Sequence, residues 1–263
     1  MAETRPYQTI SIEQDRQIIT VWLNRPEKRN SLSNEMLNEL HDFLESQYTN
    51  PDVRVLVIRG RGKYFCSGAD LNEMKPGNKT EESLVREAGY FYDVFDLLFR
   101  FPVPTICIAH GGVFGGGNGL IASSDISLCT SGCRFAFSEV RLGLVPATIS
   151  PFVIRRIGEF YARRLFLTGE VFDAGFANKI NLVDEVVTEQ ETENRIVELT
   201  GYILQGGPEA VKRTKKLIFN VGNREINNQL RSMVTREIAG AKLSDEAIRG
   251  INAFFKGEKP DWK

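Results

Sequence analysis

The hydrophobic pattern of the first half of the chain switches repeatedly between a strand period and a helix period. Two runs, Tyr7–Glu13 and Gln17–Leu23, are rich in β-branched residues and separated by a short polar break, which predicts a hairpin. Asn24-Arg25-Pro26 ends the second strand, because proline has no N–H for a ladder. Behind Ser33, a candidate N-cap, Met36, Leu37, Leu40, Phe43 and Leu44 recur at helical spacing and predict a helix over 33–48. The plan then repeats, with a strand at Arg54–Arg59, a glycine-containing loop to Asp70, a polar loop over 75–82 and a helix from about Leu84 to Arg100. Thr105–Ala109 is a third short apolar strand, followed by a loop over Gly111–Gly117 and a helix to about Ser123. Asp125–Cys129 and Arg134–Phe137 are further short strands.

Beyond Ser150 strands almost vanish. Helices are predicted at 151–157, 159–167, 173–178, 189–205, 208–220, 224–242 and 244–255, with one strand at Leu182–Val187. Pro208 suits a first helical turn. The fold class is α/β, and its character changes near residue 190. A strand–helix core domain over 1–190 is followed by a helical region over 191–263. No low-complexity linker divides them, so the tail packs against its own core or a neighbouring subunit.

Composition removes several functional classes. With 263 residues, 42% hydrophobic and 25% charged, the chain has the balance of a globular protein with a sizeable core. A net charge of -1, with basic residues dispersed, offers no field for nucleic acid. No apolar run approaches the roughly 18 residues of a membrane span, and Met1–Pro6 is polar rather than signal-like. Cys66, Cys107, Cys129 and Cys133 lack zinc-type spacing and read as free thiols of a reducing, cytoplasmic protein.

Three segments that follow strands carry candidate chemistry, since α/β folds place ligands at strand ends. In Phe65-Cys66-Ser67-Gly68-Ala69-Asp70-Leu71, small residues let a ligand approach the backbone, and Asp70 can start the next turn. Gly115-Gly116-Gly117 joins a strand to a helix, where free amides and the helix dipole favour an oxyanion. A dinucleotide loop is the rival reading there, but the G-x-G-x-x-G spacing is not met. The third segment, Phe137–Pro146, sets Glu139 between apolar residues and a glycine–proline turn. A surface carboxylate is the plain alternative for Glu139. Ser67 as a hydrolase nucleophile lacks a G-x-S-x-G elbow. His110, beside the glycine loop, is a lesser catalytic candidate.

Together with Asn24–Ser31 and Ala162–Gly169, these segments resemble, in order and spacing across nearly the whole chain, the enoyl-CoA hydratase/isomerase (crotonase) superfamily. The resemblance implies a spiral of ββα units whose helical C-terminal region serves trimers or hexamers. It implies an acyl-CoA thioester as substrate and partner, with coenzyme A part of the substrate and no separate cofactor or metal. The amides of Ala69 and Gly116 would form the oxyanion hole. The 66–71 segment, with Cys66, Ser67, Gly68, Asp70 and Leu71, would hold adenine and pantetheine beside Gly115. Lys28 and Arg29 would lie near the phosphates, and Lys256 resembles a terminal basic residue that reaches a neighbouring subunit's coenzyme.

Two departures qualify the likeness. Family hydratases carry two glutamates; Glu139 matches the second, but Gly119 stands at the first. Ala147–Pro151 replaces a usual glycine-rich stretch and is similar to the methylglutaconyl-CoA and carboxygeranoyl-CoA hydratase branch, which acts in leucine and acyclic terpene breakdown. The resulting expectation is an enoyl-CoA hydratase with Glu139 as acid/base. A 3,2-enoyl-CoA isomerase, or a non-catalytic acyl-CoA- or RNA-binding member of the fold, are the alternatives.

Overall fold

The hairpin forms the edge of a large sheet. In the computed structural model, which describes residues 7–75, 77, 80–222 and 224–262, β1 (Ile10–Asp15) pairs antiparallel with β2 (Ile18–Leu23). Met1–Pro6 and positions 76, 78 and 79 of the polar loop lie outside the described residues. From β2 onward the sheet is parallel, running through β3 (Val55–Gly60), β4 (Thr105–Ala109), β6 (Ile126–Thr130) and β9 (Glu185–Val187). Every residue of β4 is buried, as expected for a parallel strand covered on both faces. One face carries α1 (Asn34–Gln47), α2 (Glu81–Phe99) and α3 (Gly116–Ser123), which pack in sequence. On the other, Val55, Val57, Ile106, Ile108 and Leu128 meet Ile196, Leu199 and Ile203 of α6 (Thr192–Leu204).

A second, three-stranded sheet is built from β5 (Gly112–Phe114), β7 (Arg134–Ala136) and β8 (Phe172–Asp173). This corrects the loop expected throughout Gly111–Gly117: its middle is a strand, parallel to β7. Three residues are too few to show a period of two, so only the pairing partner reveals it. Its consequence is positional. β5 delivers Gly115 to the start of α3, and single bridges tie Cys66 to Val113 and Ala69 to Leu32, so the two small-residue segments lie side by side.

The helical half follows its sequence pattern closely. α4 (Ser150–Thr168) is divided at Gly158, whose φ of 75° and ψ of 161° end one helix and begin the next, where two helices were predicted. After α5 (Ala174–Lys179), the tail runs through α6, α7 (Pro208–Val221), α8 (Asn228–Lys242) and α9 (Asp245–Lys256). Specific polar contacts hold it to the core: Arg54 donates to the Gly206 carbonyl, and Lys215 donates to Asp125 and the Val103 carbonyl. The buried Glu246 carboxylate accepts the N–H groups of Glu209 and Ala210 at the start of α7, a cap supplied from another helix. The four cysteines are free and buried, and burial pushes the Cys66 and Cys129 thiols up to about 12.

Candidate active site

The turn after β2 anchors the first loop. Asn30, fully buried, accepts from the Arg25 N–H and donates to the carbonyls of Arg61 and Tyr64, so one amide side chain closes the turn against the loop after β3. From there the 67–70 segment runs like an extra strand beside Leu32. Ser67 N–H donates to Arg29 O, Leu32 N–H to Gly68 O, and Asp70 N–H to Leu32 O. Strand alternation leaves Ala69 N–H pointing the other way, and among the described residues it has no main-chain acceptor.

Gly116 presents the same kind of free group for a different reason. As the first residue of α3 its N–H has no intrahelical acceptor, while the N–H of Gly115 is spent on Ala136 O. The two loops touch through glycines that cannot be replaced without strain. Gly68 has φ of 89°, and a Cβ there would sit 3.0 Å from Phe114 O. Gly115 has φ of 47°, and a Cβ there would sit 3.7 Å from Gly68 Cα and 3.3 Å from Glu139 Oε1.

Glu139 opens a 3-10 turn over Glu139–Leu142 that closes at Gly143, in the left-handed region at φ of 72°. The turn aims the carboxyl at the glycine contact. Its Oε2 is buried without a hydrogen-bond partner. Burial pushes its pKa above the ordinary glutamate value, opposed in part by a bond from its own N–H. A half-buried carboxyl with an orphaned oxygen is a costly arrangement for structure alone.

Ser67, Gly68, Ala69, Leu71, Gly115, Gly116 and Glu139 all line one cavity of about 570 Å³. Cys66 and Asp70 do not reach it. Cys66 is fully buried, its main-chain N–H and carbonyl bond Gly112 and Phe114, and its side chain packs where a Cβ on Gly117 would go. Asp70 is buried and held by Arg25 at 3.1 Å, by Ser31 and by the Asn72 N–H. Burial alone would raise its pKa, but these donors together hold it below the usual aspartate value. Both residues therefore fix the loop that carries Ser67, Gly68 and Ala69. Lys28 and Arg29 are exposed on the adjoining turn, outside the cavity wall, with the Arg29 guanidinium 5.4 Å over Tyr64. His110 Nε2 lies 2.8 Å from the Gly62 carbonyl, a tie within the scaffold.

Gly119, the position of the missing carboxylate, faces hydrocarbon. A Cβ there would lie 2.7 Å from Ile149 Cγ2 and 2.8 Å from Phe95 Cζ. Sequence reasoning missed the part of the wall given by Leu84, Ala88 and Phe91 of α2, which faces Leu144, Val145 and Ile149 after Glu139 across the cavity lining. The i, i+4, i+7 spacing of the α2 residues is visible in the sequence but reads equally as a core-facing stripe.

Comparison with known proteins gives the same assignment. The sequence model of the enoyl-CoA hydratase/isomerase family matches residues 13–263. An enoyl-CoA hydratase of Alternaria alternata is 31% identical, over 92% of this chain and 79% of its own. A mitochondrial Delta(3,5)-Delta(2,4)-dienoyl-CoA isomerase of Dictyostelium discoideum is 28% identical, over 92% of this chain and 86% of its own. The crystal structure of an enoyl-CoA hydratase from Shewanella pealeana superposes with a TM-score of 0.93 at 31% identity, covering 97% of this chain and 96% of that one. The fold is the crotonase fold, and the chain belongs to the enoyl-CoA hydratase/isomerase family.

Proposed function

We propose that this protein hydrates a 2-enoyl-CoA thioester, with Ala69 and Gly116 N–H groups receiving the carbonyl oxygen and Glu139 as sole acid/base. The ionised Glu139 removes a proton from water as its oxygen bonds to C3. The displaced electron pair forms an enolate on the thioester oxygen, and Glu139 returns the proton to C2. Preorganised donors of this kind are worth about 2.7–4 kcal/mol each in the barrier. The observation that carries the reading is the orphaned, desolvated Glu139 carboxyl beside the contact of the two amide-bearing loops.

Lys28 and Arg29 belong to the proposal as phosphate contacts, and the 67–71 backbone as the adenine and pantetheine cradle. The helical region beyond residue 190 is proposed to build a trimer or a pair of trimers, a reading supported by Ile248, Ile251, Phe254 and Phe255 exposed along α9. Among the described residues no helix is long and apolar enough to cross a membrane. The cytoplasmic setting rests on the four free buried thiols.

One observation favours a second reading. The side chains nearest Gly119 are Phe95 and Ile149, hydrocarbon at the place where a second carboxylate would orient a water. A 3,2-enoyl-CoA isomerase needs only one carboxylate, which carries one proton between two carbons. Spectrophotometry separates the two: a hydratase removes the absorbance of a conjugated 2-enoyl thioester, and an isomerase creates it from a 3-enoyl one. Turnover of neither, with retained acyl-CoA binding, would sink both and leave a binding module.

A further inference from the structure

One buried side chain fastens the start of α3. Asn118, in the first turn of that helix, is fully buried, and its main-chain N–H donates to the Gly115 carbonyl at 2.9 Å. That carbonyl and the Gly116 N–H belong to one planar peptide unit and point in opposite directions, so holding the oxygen fixes where the N–H aims. The Asn118 Nδ2 donates to the Ala136 carbonyl at 3.0 Å, and the same carbonyl accepts the Gly115 N–H at 3.1 Å. Asn118 therefore grips both the peptide that offers the Gly116 N–H and the end of β7, from which the chain runs through Phe137 and Ser138 to Glu139.

The ladder between β5 and β7 has no further rung to give at this place. Its last pair is Phe114 with Ala136, after which Gly115, at φ of 47° and ψ of -120°, turns the chain into α3. The Asn118 amide supplies the bond beyond that point. A carbonyl only accepts, so the amide nitrogen faces Ala136, and Oδ1 is the atom left buried without a partner. A hydrocarbon side chain would fill the space with no such orphan, so packing by itself gives no reason for an amide here.

Resting on the acyl-CoA reading above, we propose that Asn118 is a positioning residue, which through Ala136 holds the Gly116 amide and the Glu139 carboxyl in register. Asn118 does not line the cavity, so it acts on the thioester only through those two groups. Without the side-chain bond the cavity keeps its lining, but the amide and the carboxyl drift relative to one another. A misplacement of about 1 Å costs up to about a hundredfold in rate.

Asn118→Leu in the full chain tests this, with thermal unfolding as the check of fold. Ala136 O keeps its bond from Gly115 and the orphaned oxygen is gone, so the variant is expected to fold; Asn118→Ala, which cannot overpack the site, is measured beside it. The infrared carbonyl stretch of isotope-labelled hexanoyl-CoA reads the amide donors without any turnover. Its shift to lower wavenumber on binding is expected in the wild type and should shrink in both variants. Turnover of an enoyl-CoA should fall by about ten- to a hundredfold, with affinity for hexanoyl-CoA little changed. Variants that keep the wild-type carbonyl shift and turnover overturn the proposal and leave the acyl-CoA reading intact. Affinity and turnover lost in equal proportion overturn it too, since they show a general loosening of the fold. A wild-type protein that leaves the bound carbonyl unshifted, or binds no acyl-CoA, overturns both the proposal and the reading on which it rests.

Discussion

The carboxyl of Glu139 lies against the backbone of Gly115, so close that a Cβ on Gly115 would meet Oε1 at 3.3 Å. That single contact joins Glu139, the proposed acid/base, to both loops that offer free amides, because Gly115 also abuts Gly68. Gly115→Ala is therefore expected to reduce activity sharply and to lower stability by about 1–3 kcal/mol through its φ of 47°. Denaturant unfolding beside acyl-CoA turnover measures both. Unchanged values would show the contact to be incidental.

Removing the charge of Glu139 separates binding from chemistry. Glu139→Gln is expected to lose about a hundred- to ten-thousand-fold in turnover and to keep acyl-CoA affinity. Retained turnover would remove Glu139 from the mechanism.

The same carboxyl sets a pH dependence. Its folded pKa is raised by burial, so the folded protein holds that proton more tightly than the unfolded chain. Stability is fully present below the ordinary glutamate pKa of about 4.3 and declines as pH rises through the raised folded value. Glu139→Gln should be more stable than wild type at neutral pH, with the difference closing in acid. In the proposed reaction the ionised form is the base, so kcat/KM should rise with pH along a limb displaced above the ordinary glutamate range. An acid limb at the ordinary value would count against a desolvated base.

Asp70 gives the opposite sign. Its burial is outweighed by the Asn72 N–H, Arg25 and Ser31, so its folded pKa is lowered. The stabilisation is present above the ordinary aspartate pKa of about 3.9 and is lost as pH falls through the lowered value. Asp70→Asn should destabilise the protein at neutral pH, weaken acyl-CoA binding by loosening the 67–69 backbone, and differ little from wild type near pH 2. Equal thermal stability of the two proteins at neutral pH would refute the anchoring role.

Restoring a second carboxylate by Gly119→Glu should fail. The new side chain collides with Ile149 and Phe95 at under 3 Å, which costs about 1–3 kcal/mol for overpacking alone. The triple variant that also carries Phe95→Ala and Ile149→Ala should relieve the collision but not the cost of burying a charge. A Gly119→Glu protein as stable as wild type would show that the wall yields.

Much of this protein was legible before its tertiary structure. Ser33 caps α1 through Met36, with Met36, Leu37, Leu40, Phe43 and Leu44 buried as their spacing requires. Gly158 divides α4 where the pattern breaks, and the motifs in their order pointed to the family. These features are local or statistical, so residue type and spacing decide them.

Tertiary structure alone decided the rest. β5 has no period of its own and exists because β7 lies beside it. Cys66 and Asp70 belong to a segment read as substrate-binding, yet one packs behind Gly117 and the other is absorbed by Arg25; burial is a property of neighbours distant in sequence. Gly119 showed a carboxylate missing, but only packing showed Phe95 and Ile149 in its place. The cavity wall, too, is assembled from segments far apart along the chain, and no sequence spacing encodes their convergence.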